Sequence, residues 1–108
     1  TMPHQASVGS STVDALRGLR VDVAFLGANG FSPTYGFSTP DPAEGSVKKA
    51  MVDCGRIVVM LADSTKYGSD YLVRFARLHD VQVLITDDGL PASHLKSLAD
   101  QGIEVVLA

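Results

Sequence analysis

Apolar runs that stop abruptly in polar residues alternate along this chain with stretches in which apolar residues recur every three or four positions. Val21 to Leu26 opens directly into Gly27-Ala28-Asn29-Gly30. Ile57 to Ala62 breaks into Asp63-Ser64-Thr65-Lys66. Val81 to Thr86 stops at Asp87-Asp88-Gly89, and Ile103 to Leu107 is the last run. Continuous runs of this kind read as strands of a parallel sheet that is covered on its faces. Between them, Val13, Leu16 and Leu19 follow Ser10-Ser11-Thr12 at helical spacing. That pattern predicts a short amphipathic helix starting at the serines. Pro91 to Gln101 predicts another, with Leu95, Leu98 and Ala99 inward and Gly102 closing it.

The helix after residue 40 carries the fullest set of local signals. Asp41 suits the N-cap, Pro42 the first helical position, and Glu44 the third position of a capping box. Ala43, Val47, Ala50, Met51 and Cys54 share one face, and Gly55 suits a left-handed residue past the end. Gly27 to Thr39 reads as a long loop rich in Gly, Ser, Pro and Thr. Tyr71 to Leu78 fits either period. Leu72, Phe75, Ala76 and His79 suit a helix, while Tyr71, Val73 and Phe75 alternate as in a strand, and a short extended segment is favoured. Strands alternating with helices predict an α/β fold with a mostly parallel sheet, right-handed crossovers and flanking helices, in a Rossmann-like three-layer arrangement.

Composition narrows the functional classes. The 108 residues suit one domain or part of one. Residues 1–7 are expected to be a disordered edge or cut point, and residues 8–108 a partial domain. A net charge of -3 argues against a nucleic-acid grip by this segment, which would need clustered Lys and Arg. One cysteine, Cys54, rules out an internal disulfide and fits a reducing cytoplasm. No apolar run approaches the roughly 20 residues of a membrane span, and no membrane partner is expected. No secretion signal is read at the start. His4, His79 and His94 lack metal-ligand spacing, so no metal and no cofactor is expected.

The candidate chemistry lies at the strand ends, where open α/β sheets bind ligands. Gly27, Asn29 and Gly30 could present backbone N–H groups to an oxyanion, since glycine permits close approach and positive φ. The alternative is a plain turn, and neither a dinucleotide fingerprint nor a P-loop is present. Asp63, Ser64 and Lys66 form the stronger cluster. Lys66 can meet a phosphate as a point charge, Ser64 can donate to it, and Asp63 can accept from a sugar hydroxyl. Their structural alternative is an N-cap or turn. Glu44 is assigned to the capping box and Cys54 to the core; Lys48 and Lys49 are assigned to a solvated helix face, from which one could lean towards a ligand phosphate. Asp87 and Asp88 end a strand and could face the same edge as Asp63.

The runs VDVAFLGANGFSPTYGFSTPDPAEGSVKKAM, IVVMLADSTKYG and VQVLITDDGL together resemble the C-terminal sensor domain of the DeoR family of bacterial transcriptional repressors. The resemblance extends over nearly the whole chain. It implies the fold of ribose-5-phosphate isomerase and glucosamine-6-phosphate deaminase, with the first strands and an N-terminal helix-turn-helix lying outside these residues. It also implies a phosphorylated sugar as effector and DNA contact only through that separate helix-turn-helix. A sheet edge left uncovered by the missing strands invites pairing with another chain, so self-association as a homo-oligomer, or exchange of segments, is expected. Binding is expected to occur without catalysis. Phe31 stands where the deaminases resemble a catalytic histidine, and Lys49 where the isomerases carry a glutamate base. In this reading the Phe31 to Thr39 loop closes over the ligand. The alternative is an isomerase- or deaminase-like enzyme using Asp63, Glu44 or Asp87 as bases.

Overall fold

A computed structural model describes the backbone of residues 3–108 and the side chains of residues 10–108. The elements in chain order are α1 (Pro3–Arg17), β1 (Val21–Gly27), β2 (Gly30–Ser32), β3 (Gly36–Thr39), α2 (Pro42–Cys54), β4 (Gly55–Leu61), β5 (Val73–Ala76), β6 (Val83–Thr86), α3 (Ala92–Asp100) and β7 (Glu104–Leu107). Two 3-10 turns cover Ser64–Lys66 and Leu78–Asp80. β1, β4, β6 and β7 form a four-stranded sheet in that order, every pair parallel. The expected α/β class with a parallel sheet and flanking helices is therefore observed.

The winding of this sheet decides what covers it. Strand order follows chain order in one direction, and right-handed crossovers then all fall on the same face. That face buries Ala24, Leu26, Val58, Met60 and Leu84 with Leu98 of α3 and Val52 of α2 in one apolar cluster. Register assigns the opposite face: Val23 and Phe25 lie beside Ile57 and Val59, and Val83 and Ile85 follow. Phe25 is 61% exposed there, and Val23, Ile57, Leu61 and Val106 are exposed with it. The expectation that the apolar runs are covered on both faces holds, among the described residues, on one.

The expected long loop over Gly27–Thr39 is mostly a hairpin. β2 and β3 pair antiparallel, and β5 adds to β3, making a separate three-stranded sheet. The physical cause is Phe31 and Phe37, which face each other across the hairpin and are fully buried. Strands this short, punctuated by Pro33 and Gly36, leave little periodic signal. The extended reading of Tyr71 to Leu78 corresponds to β5.

The helices correct several local expectations. α1 is helical from Pro3, so Ser10-Ser11-Thr12 lies inside it and does not cap it. The edge expected over 1–7 falls partly on residues 1–2, outside the described residues. Asp41 does cap α2, its carboxylate accepting from the Ala43 N–H at 3.0 Å. Glu44 forms no capping box; its carboxylate pairs with Lys48. Gly55 is extended (φ -82) and leads straight into β4, so no left-handed cap intervenes. The buried residues of α2 are Gly45, Val52 and Cys54, with Met51 packed on the core; Ala43, Val47 and Ala50 are half-buried. This helix lies between α1 on one side and β3 and β5 on the other, which a single apolar stripe does not describe. On α3, Leu98 is buried, Leu95 is half-buried, and Ala99 is exposed where it was expected inward.

Gly45 lets α2 approach β5. A Cβ there would lie 2.5 Å from Val73 Cγ1, whereas a Cβ at Gly18 would meet nothing within 4 Å. Gly45→Ala is therefore expected to cost about 1–3 kcal/mol by overpacking. Gly18→Ala should be neutral or gain up to about 1 kcal/mol from unfolded-state entropy. Urea unfolding of both variants checks this; equal midpoints would refute the packing role of Gly45.

Candidate functional site

The carboxyl ends of β1, β4 and β6 lie side by side, because Gly27 pairs with Leu61 and Leu61 with Ile85. Each strand ends in one of the polar segments singled out above. The first two segments are tied to each other. Phe31 bridges Tyr67, and the Gly68 N–H donates to the Phe31 carbonyl at 2.8 Å. The rings follow the backbone: Tyr67 meets Phe31 edge-on at 5.4 Å between centroids and stacks on His94 at 4.5 Å. Two segments far apart in sequence thus become one wall, fastened to the first turn of α3.

Each predicted residue has a definite place. Gly27 is the last residue of β1, and its carbonyl accepts from Lys48 Nζ at 2.7 Å. Asn29 is exposed, with its N–H donating to the Ser38 carbonyl at 3.1 Å. Gly30 is buried in β2, where a Cβ would collide with the Ser69 carbonyl. Close packing against Ser69 accounts for that glycine, and neither Gly27 nor Gly30 uses positive φ. Asp63 caps the 3-10 turn, accepting from the Thr65 N–H at 2.9 Å and from the Thr65 hydroxyl. Ser64 is held by Asp87: its N–H donates to Asp87 Oδ2 at 3.0 Å, and its hydroxyl also bonds that carboxylate. Asp87 Oδ1 accepts from the Gly89 N–H at 2.8 Å, so this aspartate ties the ends of β4 and β6 together. Lys66 is half-buried, and among the described residues its ammonium forms no hydrogen bond or ion pair; Asp63 is the charge it acts on.

The expected lid over Phe31 to Thr39 is replaced by the hairpin, whose buried phenylalanines make it a fixed wall. Four further residues at this edge stand outside the residues expected to bind: Lys48 and Asp87 had only secondary readings, Tyr67 and His94 none. Lys48 was assigned to solvent, yet its side chain is only 18% exposed and reaches the exit of β1. Tyr67 and His94 join through ring stacking, and His94 Nδ1 is buried without a hydrogen-bond partner among the described residues. Asp87, expected at a strand end facing the same edge as Asp63, lies there and serves as a bracket. The readable signal for His94 was its position: the first turn of a helix that follows a strand returns past the carboxyl edge. Among the described residues, no three of His, Cys, Asp and Glu are grouped so as to hold a metal ion.

The carboxylates at this edge respond to their partners. The Thr65 hydroxyl and N–H hold the Asp63 carboxyl below its ordinary value, and the Ser64 hydroxyl and N–H do the same for Asp87. As pH falls, the unfolded chain takes up these protons first. The stabilisation is complete above the unfolded carboxyl value near 4 and is lost as pH drops through the lower folded value. Asp87→Asn should therefore lower the melting temperature at pH 7, and its gap from wild type should close below about pH 4. Melting curves at stepped pH measure this. A gap that stays constant down to pH 2 would show that charge is not the source.

A family model described as the DeoR C terminal sensor domain matches residues 2–88. The chain is 34% identical over 105 residues to the uncharacterised HTH-type transcriptional regulator YgbI of Escherichia coli, covering 97% of this chain and 41% of that protein. It is 33% identical over 105 residues to the HTH-type transcriptional repressor GlcR of Bacillus subtilis, covering 96% and 40%. It is 32% identical over 102 residues to the HTH-type transcriptional regulator GlpR of Haloferax volcanii, covering 94% and 40%. The chain thus spans about two-fifths of the length of these curated relatives. With sequence motifs, parallel α/β sheet and family match in agreement, the chain belongs to the DeoR C-terminal sensor domain family.

Proposed function

We propose that this chain is the effector-sensing part of a bacterial transcriptional regulator of sugar metabolism. It binds a phosphorylated sugar at the carboxyl edge of the main sheet and does not turn it over. DNA is read by a separate helix-turn-helix, and the regulator works in the cytoplasm. One observation carries the ligand reading: Lys66 offers an ammonium with no hydrogen bond or ion pair among the described residues, beside a wall already fixed by Phe31 and Tyr67. Asn29, beside Gly27 and Gly30, extends the surface on which a ligand would lie. Asp63 and Ser64, whose turn is set by Thr65 and Asp87, supply acceptors and a hydroxyl for sugar oxygens.

The matched relatives are regulators by name, which favours sensing over the isomerase or deaminase alternative. Glu44 is paired with Lys48, and Asp63 and Asp87 are engaged by hydroxyls and backbone N–H groups. Asp63 and Asp87, held at lowered pKa by these bonds, are poor proton acceptors at neutral pH. A sensor needs only a ligand that prefers one state of the protein.

Self-association is the second part of the proposal. The open face carries Val23, Phe25, Ile57, Leu61 and Val106, with Glu104 at its β7 margin. Contiguous exposed apolar patches larger than a few hundred Å² mark interaction surfaces. Its pairing with the same face of another copy is a two-fold arrangement.

Two measurements test these statements. In a thermal-shift panel of sugar phosphates and their unphosphorylated sugars, one or two phosphosugars should raise the melting temperature in a saturable way, with no product formed. Lys66→Ala should weaken that binding about tenfold or more, as loss of a charged hydrogen bond does. Product formation, or unchanged affinity in the variant, would count against the reading. In sedimentation equilibrium the wild-type chain should associate with rising concentration and Phe25→Ser should associate less. A chain that stays monomeric at high concentration would remove the second part.

A further inference from the structure

Lys48 and Lys49 are adjacent in sequence and diverge in space. Lys49 lines the groove between α1 and α2, together with Arg17, Arg20 and Asp53. Lys48 reaches towards the sheet instead. Its ammonium donates to the Gly27 carbonyl at 2.7 Å, pairs with Glu44 Oε1 at 2.8 Å, and stands 5.3 Å from the centre of the Phe75 ring. An i,i+4 Glu–Lys pair on a helix usually lies in solvent and contributes little. This pair is drawn onto the last carbonyl of β1, beside the loop that carries Asn29.

The valences of the pair are only partly used. An ammonium has three N–H donors, and two are engaged, one by Gly27 and one by Glu44. The carboxylate of Glu44 has its second oxygen without a partner among the described residues, and its side chain is 44% exposed. One donor, on an ammonium that also stands over the Phe75 ring, and one carboxylate oxygen are therefore left on the pair. A hydroxyl group needs both, since it donates one hydrogen bond and accepts others. A phosphate near neutral pH is chiefly an acceptor and would meet the negative charge of Glu44.

We infer that the Glu44–Lys48 pair reads a hydroxyl of the sugar portion of the effector, while Lys66 takes the phosphate; this rests on the sensor reading above. The pair acts as a specificity determinant: it favours a polyol phosphate over a bare phosphate. Gly27 holds the lysine in place, so the pair is set before the ligand arrives.

Isothermal titration of the 108-residue chain with fructose 6-phosphate, glucose 6-phosphate, ribose 5-phosphate and inorganic phosphate tests this. Lys48→Met and Glu44→Gln should each weaken the best phosphosugar about tenfold, the loss expected of one charged hydrogen bond. Inorganic phosphate should bind both variants within about twofold of wild type, whereas Lys66→Ala should weaken both kinds of ligand. Glu44→Gln keeps a neutral acceptor beside Lys48, so it preserves the fold if Lys48→Met does not; circular dichroism reports which variants are folded. A folded Glu44→Gln variant with wild-type phosphosugar affinity would overturn the inference. So would equal losses for phosphosugar and inorganic phosphate. A wild-type chain that binds none of the phosphosugars would instead overturn the sensor reading itself.

Discussion

Phe31 is fully buried where the two sheets meet, and the arrangement of the candidate site depends on that burial. Its ring stacks on Phe37 within the hairpin at 5.7 Å and receives the edge of Tyr67. Its backbone carbonyl accepts from Gly68. Aromatic pairs of this geometry contribute about 0.5–1.5 kcal/mol each beyond the area they bury. The larger consequence is positional. Beside Phe31, the segment after β1 and the segment after β4 are joined by the packing of Gly30 on Ser69 and by the Ser32 hydroxyl donating to Asp70 at 2.7 Å. With the Phe31 contacts added, Asn29 and Lys66 are carried on one continuous wall, and the hairpin cannot swing freely.

The electrostatics of the edge follow a simple division. Asp63 and Asp87 spend their charge on the local backbone, on Thr65 and on Ser64. They hold turns in shape and lie low in pKa for that reason. Lys66 is not engaged in this way, and the Glu44–Lys48 pair is half engaged. The two aspartates chiefly shape the site, whereas Lys66 and the Glu44–Lys48 pair of α2 keep more of their capacity for a ligand. A chain with a net charge of -3 can present a local cation because its nearest acids are already occupied.

Much of this was legible in the residues. The four long apolar runs became the four parallel strands, since each is bounded by polar or glycine-rich segments. The Asp41-Pro42 start of α2 was readable because capping is a local matter settled by a few side chains. The two halves of the site were readable as strand ends, but their attachment through Phe31 and Tyr67 was not, because it joins residues far apart in the chain. The hairpin was missed for a different reason: its strands are short and hold their place by two buried rings, and no alternating pattern announces them. Lys48 was read chiefly as solvated because helical spacing places it beside Lys49 on a polar face, while a long flexible side chain can leave that face for a carbonyl. Gly55 was read by its local role at a helix end, when it begins a strand, and Gly45 carried no signal of the helix–sheet contact it serves.

The strand order has a consequence for how the chain comes together. Neighbours in the main sheet are never joined by a turn: Val21 must find Gly55, and Val59 must find Val83, each across an intervening element. In the smaller sheet, Gly30 need only find Ser38. The entropy of closing a loop rises with its length, so the hairpin is the cheapest contact between strands available to the unfolded chain. It brings Phe31 and Phe37 together before any parallel pairing is required. The parallel strands, by contrast, close only as α2 and α3 take their places, which makes the larger sheet a late and collective product of folding.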